Sequence, residues 1–124
     1  MNNVHFEIDK EFLNAYYKEL VNDVGEIFQL FLEETPSDIN QINEHFSTGK
    51  YKQVAEVLHK IAPCFYNIGL PTLTPKVRAI EVCIHAGQIE DAKSQMNSFE
   101  AELNGFLPAI IKEHQRLIAY DKVA

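Results

Sequence analysis

No run of apolar residues in this sequence approaches the roughly 18 consecutive positions of a membrane-spanning helix. The opening stretch, MNNVHFEIDKEF, lacks the basic segment followed by an apolar one that marks a secretory leader. Neither a membrane-spanning nor a secreted protein is expected, and the expected location is cytoplasmic. Cysteine is scarce: Cys64 and Cys83 are the only two, with no Cys-x-x-Cys and no His/Cys spacing suited to zinc. Both are expected to be small buried residues. Low-complexity segments are missing too, and 46% hydrophobic with 23% charged residues is an ordinary globular balance, which sets disorder aside. Positive charge is in short supply, with 11 Lys and Arg against 18 Asp and Glu for a net charge of −7. Such a chain is a poor general binder of nucleic acid, whose phosphates demand a basic surface.

What basic charge there is lies unevenly. Between Lys50 and Ile80 five residues are basic (Lys50, Lys52, Lys60, Lys76 and Arg78) and only Glu56 is acidic. The 124 residues suffice for one core without disulfides or metal, so residues 1–124 are expected to form a single domain. Apolar residues recur at helical spacing almost everywhere, and no alternating strand pattern is convincing. Asp9 caps a short helix carrying Phe12, Leu13, Tyr16 and Leu20. A second stretch starts near Asp23 and keeps Ile27, Phe28, Phe31, Thr35, Ile39, Ile42 and Phe46 on one face. Pro36 either opens a new segment behind a Thr35 cap or kinks a continuous helix. After the turn Ser47-Thr48-Gly49, a third helix carries Tyr51, Val54, Ala55, Leu58, Ile61, Ala62 and Phe65, ended by Gly69-Leu70-Pro71. Thr74-Pro75 starts a fourth helix that stops at Gly87. The last begins near Gln88 and runs through Met96, Phe99, Leu103 and Ile110, with Gly105 and Pro108 as weak points. The fold class is therefore all-α: an antiparallel four-helix bundle with an extra short N-terminal helix.

With Leu58 at the centre of the third apolar stripe, steps of about 100° per residue place His59 at the stripe's edge, partly exposed. A neutral imidazole is a competent nucleophile, and a basic neighbourhood favours both its deprotonated form and an incoming phosphoryl group. His5, His45, His85 and His114 have no comparable setting and read as structural or surface residues. Four residues after His59 stands Pro63, which has no N–H for the His59 carbonyl. Either the opened turn tilts His59 outward, or Pro63 simply begins a fresh segment. Glu56-Val57-Leu58-His59 is one Glu-x-x-His motif, but a di-iron bundle needs two and further inward carboxylates. No metal site is expected.

The segment His59-Lys60-Ile61-Ala62-Pro63-Cys64-Phe65-Tyr66-Asn67-Ile68-Gly69 resembles the phosphorylatable motif of the histidine phosphotransfer, or HPt, domain. That family has an apolar residue two positions after its histidine, Lys at the third, Gly at the fourth, a small residue at the seventh and Gly at the tenth. Ile61, Asn67, Ile68 and Gly69 fit, while Ala62 replaces the Lys, Pro63 the Gly, and Tyr66 stands where a small residue is expected. The resemblance extends over the second to fifth helices. It implies a phosphocarrier rather than an enzyme: His59 would accept a phosphoryl group from a receiver-domain aspartate and pass it to another receiver. It further implies response-regulator receiver domains and a hybrid histidine kinase as partners, a monomer, and no cofactor on this chain, with magnesium on the receiver. Lys60 and Lys52 are then the residues expected to stabilise the phosphoryl group, and Pro63, Tyr66 and Gly69 those expected to meet the partner. The alternative is an HPt-like docking module that binds a receiver or kinase without being phosphorylated.

Overall fold

The computed structural model describes residues 6–17 and 23–123. Helices are the regular secondary structure among them, in the order α1 (Lys10–Tyr17), α2 (Val24–Ser47), α3 (Tyr51–Ile61), α4 (Cys64–Asn67), α5 (Leu73–His85) and α6 (Ile89–Val123). None is long and apolar enough to cross a membrane. The four long helices pack in a ring, α2 on α3, α3 on α5, α5 on α6 and α6 back on α2, and α1 lies against α4. This is the expected four-helix bundle with a short N-terminal helix, plus one element the periodicity did not separate.

That element is α4. The apolar stripe of α3 runs on through Phe65, yet the helix stops at Ile61, and Pro63 occupies the N-cap of a single new turn, Cys64–Asn67. The proline removes the N–H that the His59 carbonyl would have received, and the Tyr66 N–H turns to the Pro63 carbonyl at 3.2 Å. Pro63 therefore begins a fresh segment. The Ala62 carbonyl is left inside the protein, where the hydroxyl of the fully buried Thr74 donates to it at 2.6 Å. Thr74 was expected to cap the fourth helix; the N-cap is Thr72 instead, and the Thr74 hydroxyl serves the neighbouring break.

Phe65 of α4 lies at the centre of the bundle. Its ring meets Phe31 of α2 edge-on at 5.7 Å and Phe99 of α6 edge-on at 5.5 Å, and it is completely buried. Phe28, Ile42, Leu58, Ile80, Met96 and Ile110 fill the space around it. Full burial of one such aromatic is worth about 2–3 kcal/mol, so this one-turn helix is an anchor for the bundle rather than a loop.

The prolines inside α2 and α6 are handled differently. Pro36 and Pro108 sit within continuous helices, and both are exposed, where solvent can serve the carbonyl each leaves unpaired. Gly105, expected to be a weak point, is a seat: a Cβ there would lie 2.5 Å from the Phe6 ring, which stacks edge-on against Phe106 at 5.2 Å. Asp9 caps α1 as expected, its carboxylate accepting from the Phe12 N–H at 3.0 Å. Leu20, assigned to the same helix, lies outside the described residues.

The N-terminal segment is tied down by polar contacts as well. Glu113 of α6 is 5% exposed, accepts from Arg116 Nε at 2.6 Å and faces Lys10 of α1 at 3.8 Å. The bond from Arg116 holds its carboxyl below the ordinary value of 4.5, against the opposing effect of burial. Tyr17 donates from its hydroxyl to the Asn67 carbonyl at 2.7 Å, and burial, followed by the neighbouring Tyr16, pushes its phenol up to about 12.

Two expectations follow for stability. Thr74→Val leaves the Ala62 carbonyl buried without a donor and costs about 1–3 kcal/mol in urea unfolding, whereas Thr74→Ser stays close to native. Because the Glu113 carboxyl is lowered in the folded state, its contribution is present above the ordinary carboxylate value and fades as pH falls through the lower, folded one. The stability difference between the native chain and Glu113→Gln should thus shrink as pH falls below the ordinary carboxylate value. A difference that stays constant as the pH falls would contradict the assignment.

Candidate functional site

His59 lies in the last turn of α3, held by the buried Leu58 and Ile61 on either side, and its imidazole is 82% exposed. Its Nδ1 faces Glu81 Oε2 on α5 at 3.4 Å. That separation is ion-pair reach rather than a formed hydrogen bond. The same carboxylate oxygen lies 3.7 Å from Nε2 of His85, one turn further along α5. Lys52, Ala55, Glu56, His59, Glu81 and His85 together line a shallow groove between α3 and α5. Nδ1 thus faces Glu81 on a ring that is otherwise largely open to solvent.

The sequence-designated residues divide into those at this groove and those elsewhere. Lys52 lies in it, two turns before His59 on the same flank of α3. Lys60 does not. Its ammonium reaches around to α2 and donates to the buried Asp38 at 3.0 Å, a bond that raises the lysine above its ordinary value. Lys60 was expected to stabilise the phosphoryl group; the roughly 100° turn between consecutive helical residues carries it to the α2 side, where the buried Asp38 carboxylate pairs with it. Ala62 is 2% exposed, so the position that carries the family lysine points into the core.

Of the three residues assigned to a partner-facing surface, Pro63 is exposed at the head of α4. Tyr66 is half-buried, its ring tilted against Phe12 of α1 at 5.8 Å. Phe12 stacks in turn on the exposed Tyr16, whose hydroxyl donates to Asn67 at 2.9 Å. Gly69 belongs to the interior instead. It is buried, has φ +75°, and a Cβ would lie 2.5 Å from Ile8, while its carbonyl accepts from the Asp9 N–H at 2.9 Å. Its glycine is required by the turn and by the N-terminal segment lying over it, which also keeps a partner from touching it.

Cys64 and Cys83 are half-buried rather than buried. Burial is the main cause that raises the Cys64 thiol, and the Cys83 sulfur accepts from Gln95 at 3.3 Å. Of the other histidines, His45 and His114 are half-buried, and His5 lies outside the described residues.

Sequence reasoning missed Glu81 and His85. The basic stretch was bounded at Ile80, one residue before the carboxylate that faces His59. A signal was present, since Glu81 and His85 are spaced i, i+4 with the acid first, the favourable order on a helix. Nothing in the order of residues brings that pair to His59; packing of α5 on α3 does.

The separate surroundings of the two lysines give opposite expectations. Lys60→Met strands the Asp38 carboxylate, so it lowers the urea midpoint and leaves the His59 imidazole resonances in place. Lys52→Met moves those resonances and leaves the midpoint nearly unchanged. Imidazole NMR spectra and urea curves of both variants decide the matter, and a shift for Lys60→Met alone would reverse the assignment.

Among protein-family models, the Hpt domain matches residues 26–117, about three-quarters of the chain and every helix except α1. No curated protein and no solved structure matches the chain.

Proposed function

The chain belongs to the Hpt domain family, whose members are phosphocarrier modules of two-component phosphorelays, and on that footing we propose that His59 is its phosphoacceptor. The observation that carries the reading is the exposed imidazole with Nδ1 facing Glu81. In the reaction, the Nε2 lone pair attacks the phosphorus of a receiver's aspartyl phosphate. The Nε2–P bond forms, the P–O bond to the aspartate breaks, and the aspartate leaves as its carboxylate. The imidazole gains positive charge as the new bond forms, and the Glu81 carboxylate on the Nδ1 side stabilises that charge. Transfer to the next receiver is the same step reversed.

The remaining demands fall on positioning. His59 stands on a helix whose neighbouring residues Leu58 and Ile61 are buried in the core, which holds its backbone in place. Magnesium and the acidic pocket belong to the receiver. Lys52 is the phosphoryl-stabilising cation of this chain, and Pro63 with Tyr66, Phe12 and Tyr16 supplies an apolar rim for docking. Lys60 and Gly69 act through the fold.

The burial of Ala62 favours a second reading, a docking module that binds a receiver without taking phosphate, because it removes the family lysine from the turn after His59. One experiment separates the two. The protein is incubated with phosphorylated receiver domains, and acid-labile, alkali-stable phosphate is sought on it beside His59→Gln. Label on the native chain and none on the variant is expected, with Glu81→Ala slowing transfer by about three- to tenfold. Receiver binding without label from any donor would establish the docking module instead.

A further inference from the structure

Glu81 Oε2 faces two imidazoles at once, His59 Nδ1 at 3.4 Å from across the α3–α5 seam and His85 Nε2 at 3.7 Å from its own helix. A carboxylate oxygen has two lone pairs and can accept from both rings together. Both separations are a few tenths of an ångström beyond a formed hydrogen bond, within reach of a small side-chain rotation. Glu81 is the enclosed member of the three, 19% exposed against 82% for His59 and 67% for His85. Its carboxylate therefore meets the two rings inside the groove while they border solvent.

A glutamate loses substantial rotamer freedom when it is held in one geometry, so a single contact to an exposed imidazole fixes it poorly. A second donor reduces that cost for the first. His85 is suited to be that donor: it follows Glu81 by four residues in the favourable order, and it sits in the last turn of α5, where a helix end favours donor groups. The turn after His59 offers no substitute, since Ala62 faces the core and Lys60 is held by Asp38.

We infer that His85 is a positioning residue for His59: its Nε2–H donates to Glu81 Oε2 and holds that carboxylate where it accepts the Nδ1–H of His59. His59 is thereby kept as the Nδ1–H tautomer, with its lone pair on Nε2. An imidazole free in water prefers the opposite tautomer, with the proton on Nε2, which has no lone pair to give. The consequence for phosphoryl transfer rests on the reading of His59 as the acceptor, whereas the tautomer itself does not.

The test is a long-range proton–nitrogen NMR correlation of the imidazoles in the whole 15N-labelled chain, recorded about two units above the ordinary imidazole value so that the rings are neutral. His59 should be mainly the Nδ1–H form in the native chain. His85→Ala should lower the Nδ1–H to Nε2–H ratio of His59 by about three- to tenfold, the range for loss of one neutral hydrogen bond. His85→Gln, which keeps a side-chain N–H donor, should restore most of it. Backbone amide spectra of the same samples confirm that each variant is folded. An unchanged His59 ratio in His85→Ala overturns the proposal, and does so most plainly if Glu81→Ala changes the ratio, since Glu81 then acts alone. Uptake of phosphate from phosphorylated receiver domains is read in parallel. A tautomer that responds to His85 in a chain that never takes phosphate leaves the positioning role standing and removes the phosphocarrier reading. Phosphate uptake with a tautomer indifferent to His85 does the reverse.

Discussion

The absence of one backbone N–H, at Pro63, shapes more of this protein than any contact does. It ends α3 at Ile61 although the apolar pattern continues, and a separate one-turn helix, α4, follows. That turn sets Phe65 between Phe31 and Phe99, where the rings of α2, α4 and α6 meet. It also leaves the Ala62 carbonyl in the interior, to be satisfied by Thr74 at the start of α5. The same break thus ties α3 to α5 by a buried hydrogen bond and pins the bundle's centre with an aromatic side chain.

The site inherits its geometry from that arrangement. His59 lies in the last turn before the break, on a backbone fixed by Leu58 and Ile61 and against α5, so Glu81 comes within ion-pair reach of its Nδ1. The charges around it are mixed rather than basic: Lys52 and Glu56 come from α3, Glu81 and His85 from α5. A groove of this kind orients an imidazole more than it attracts a phosphate. Lys52 is the one lysine that lines this groove, beside the carboxylates of Glu56 and Glu81.

Placement also sets Lys60 and Gly69 apart from the groove at His59. Each is adjacent in sequence to residues of the site but is claimed by a different neighbour. Asp38 is buried on α2 and would be left with an unpaired charge without Lys60. Gly69 lies under Ile8, where any side chain would collide with the N-terminal segment. Nearness along the chain said that these residues were close to His59; burial and pairing decided what they do.

The sequence by itself determined the all-α class, the long helices and their order, and the edge position of His59. These follow from the spacing of apolar residues, because a helix must put its apolar face against something, and from capping residues such as Asp9 and the turns at Gly49 and Gly87. It also carried the family likeness, through the residues after His59. The end of α3 was legible only as a choice between two effects of Pro63, since the apolar stripe through Phe65 is equally compatible with a helix and with a turn that redirects the same side chains. Tertiary structure decided the partners of His59. Glu81 and His85 lie more than twenty residues from it along the chain, and only the packing of α5 on α3 converts that separation into 3.4 Å between Nδ1 and a carboxylate oxygen. Periodicity reports which face of a helix is buried, and the identity of the helix across the seam is fixed by how the whole core closes.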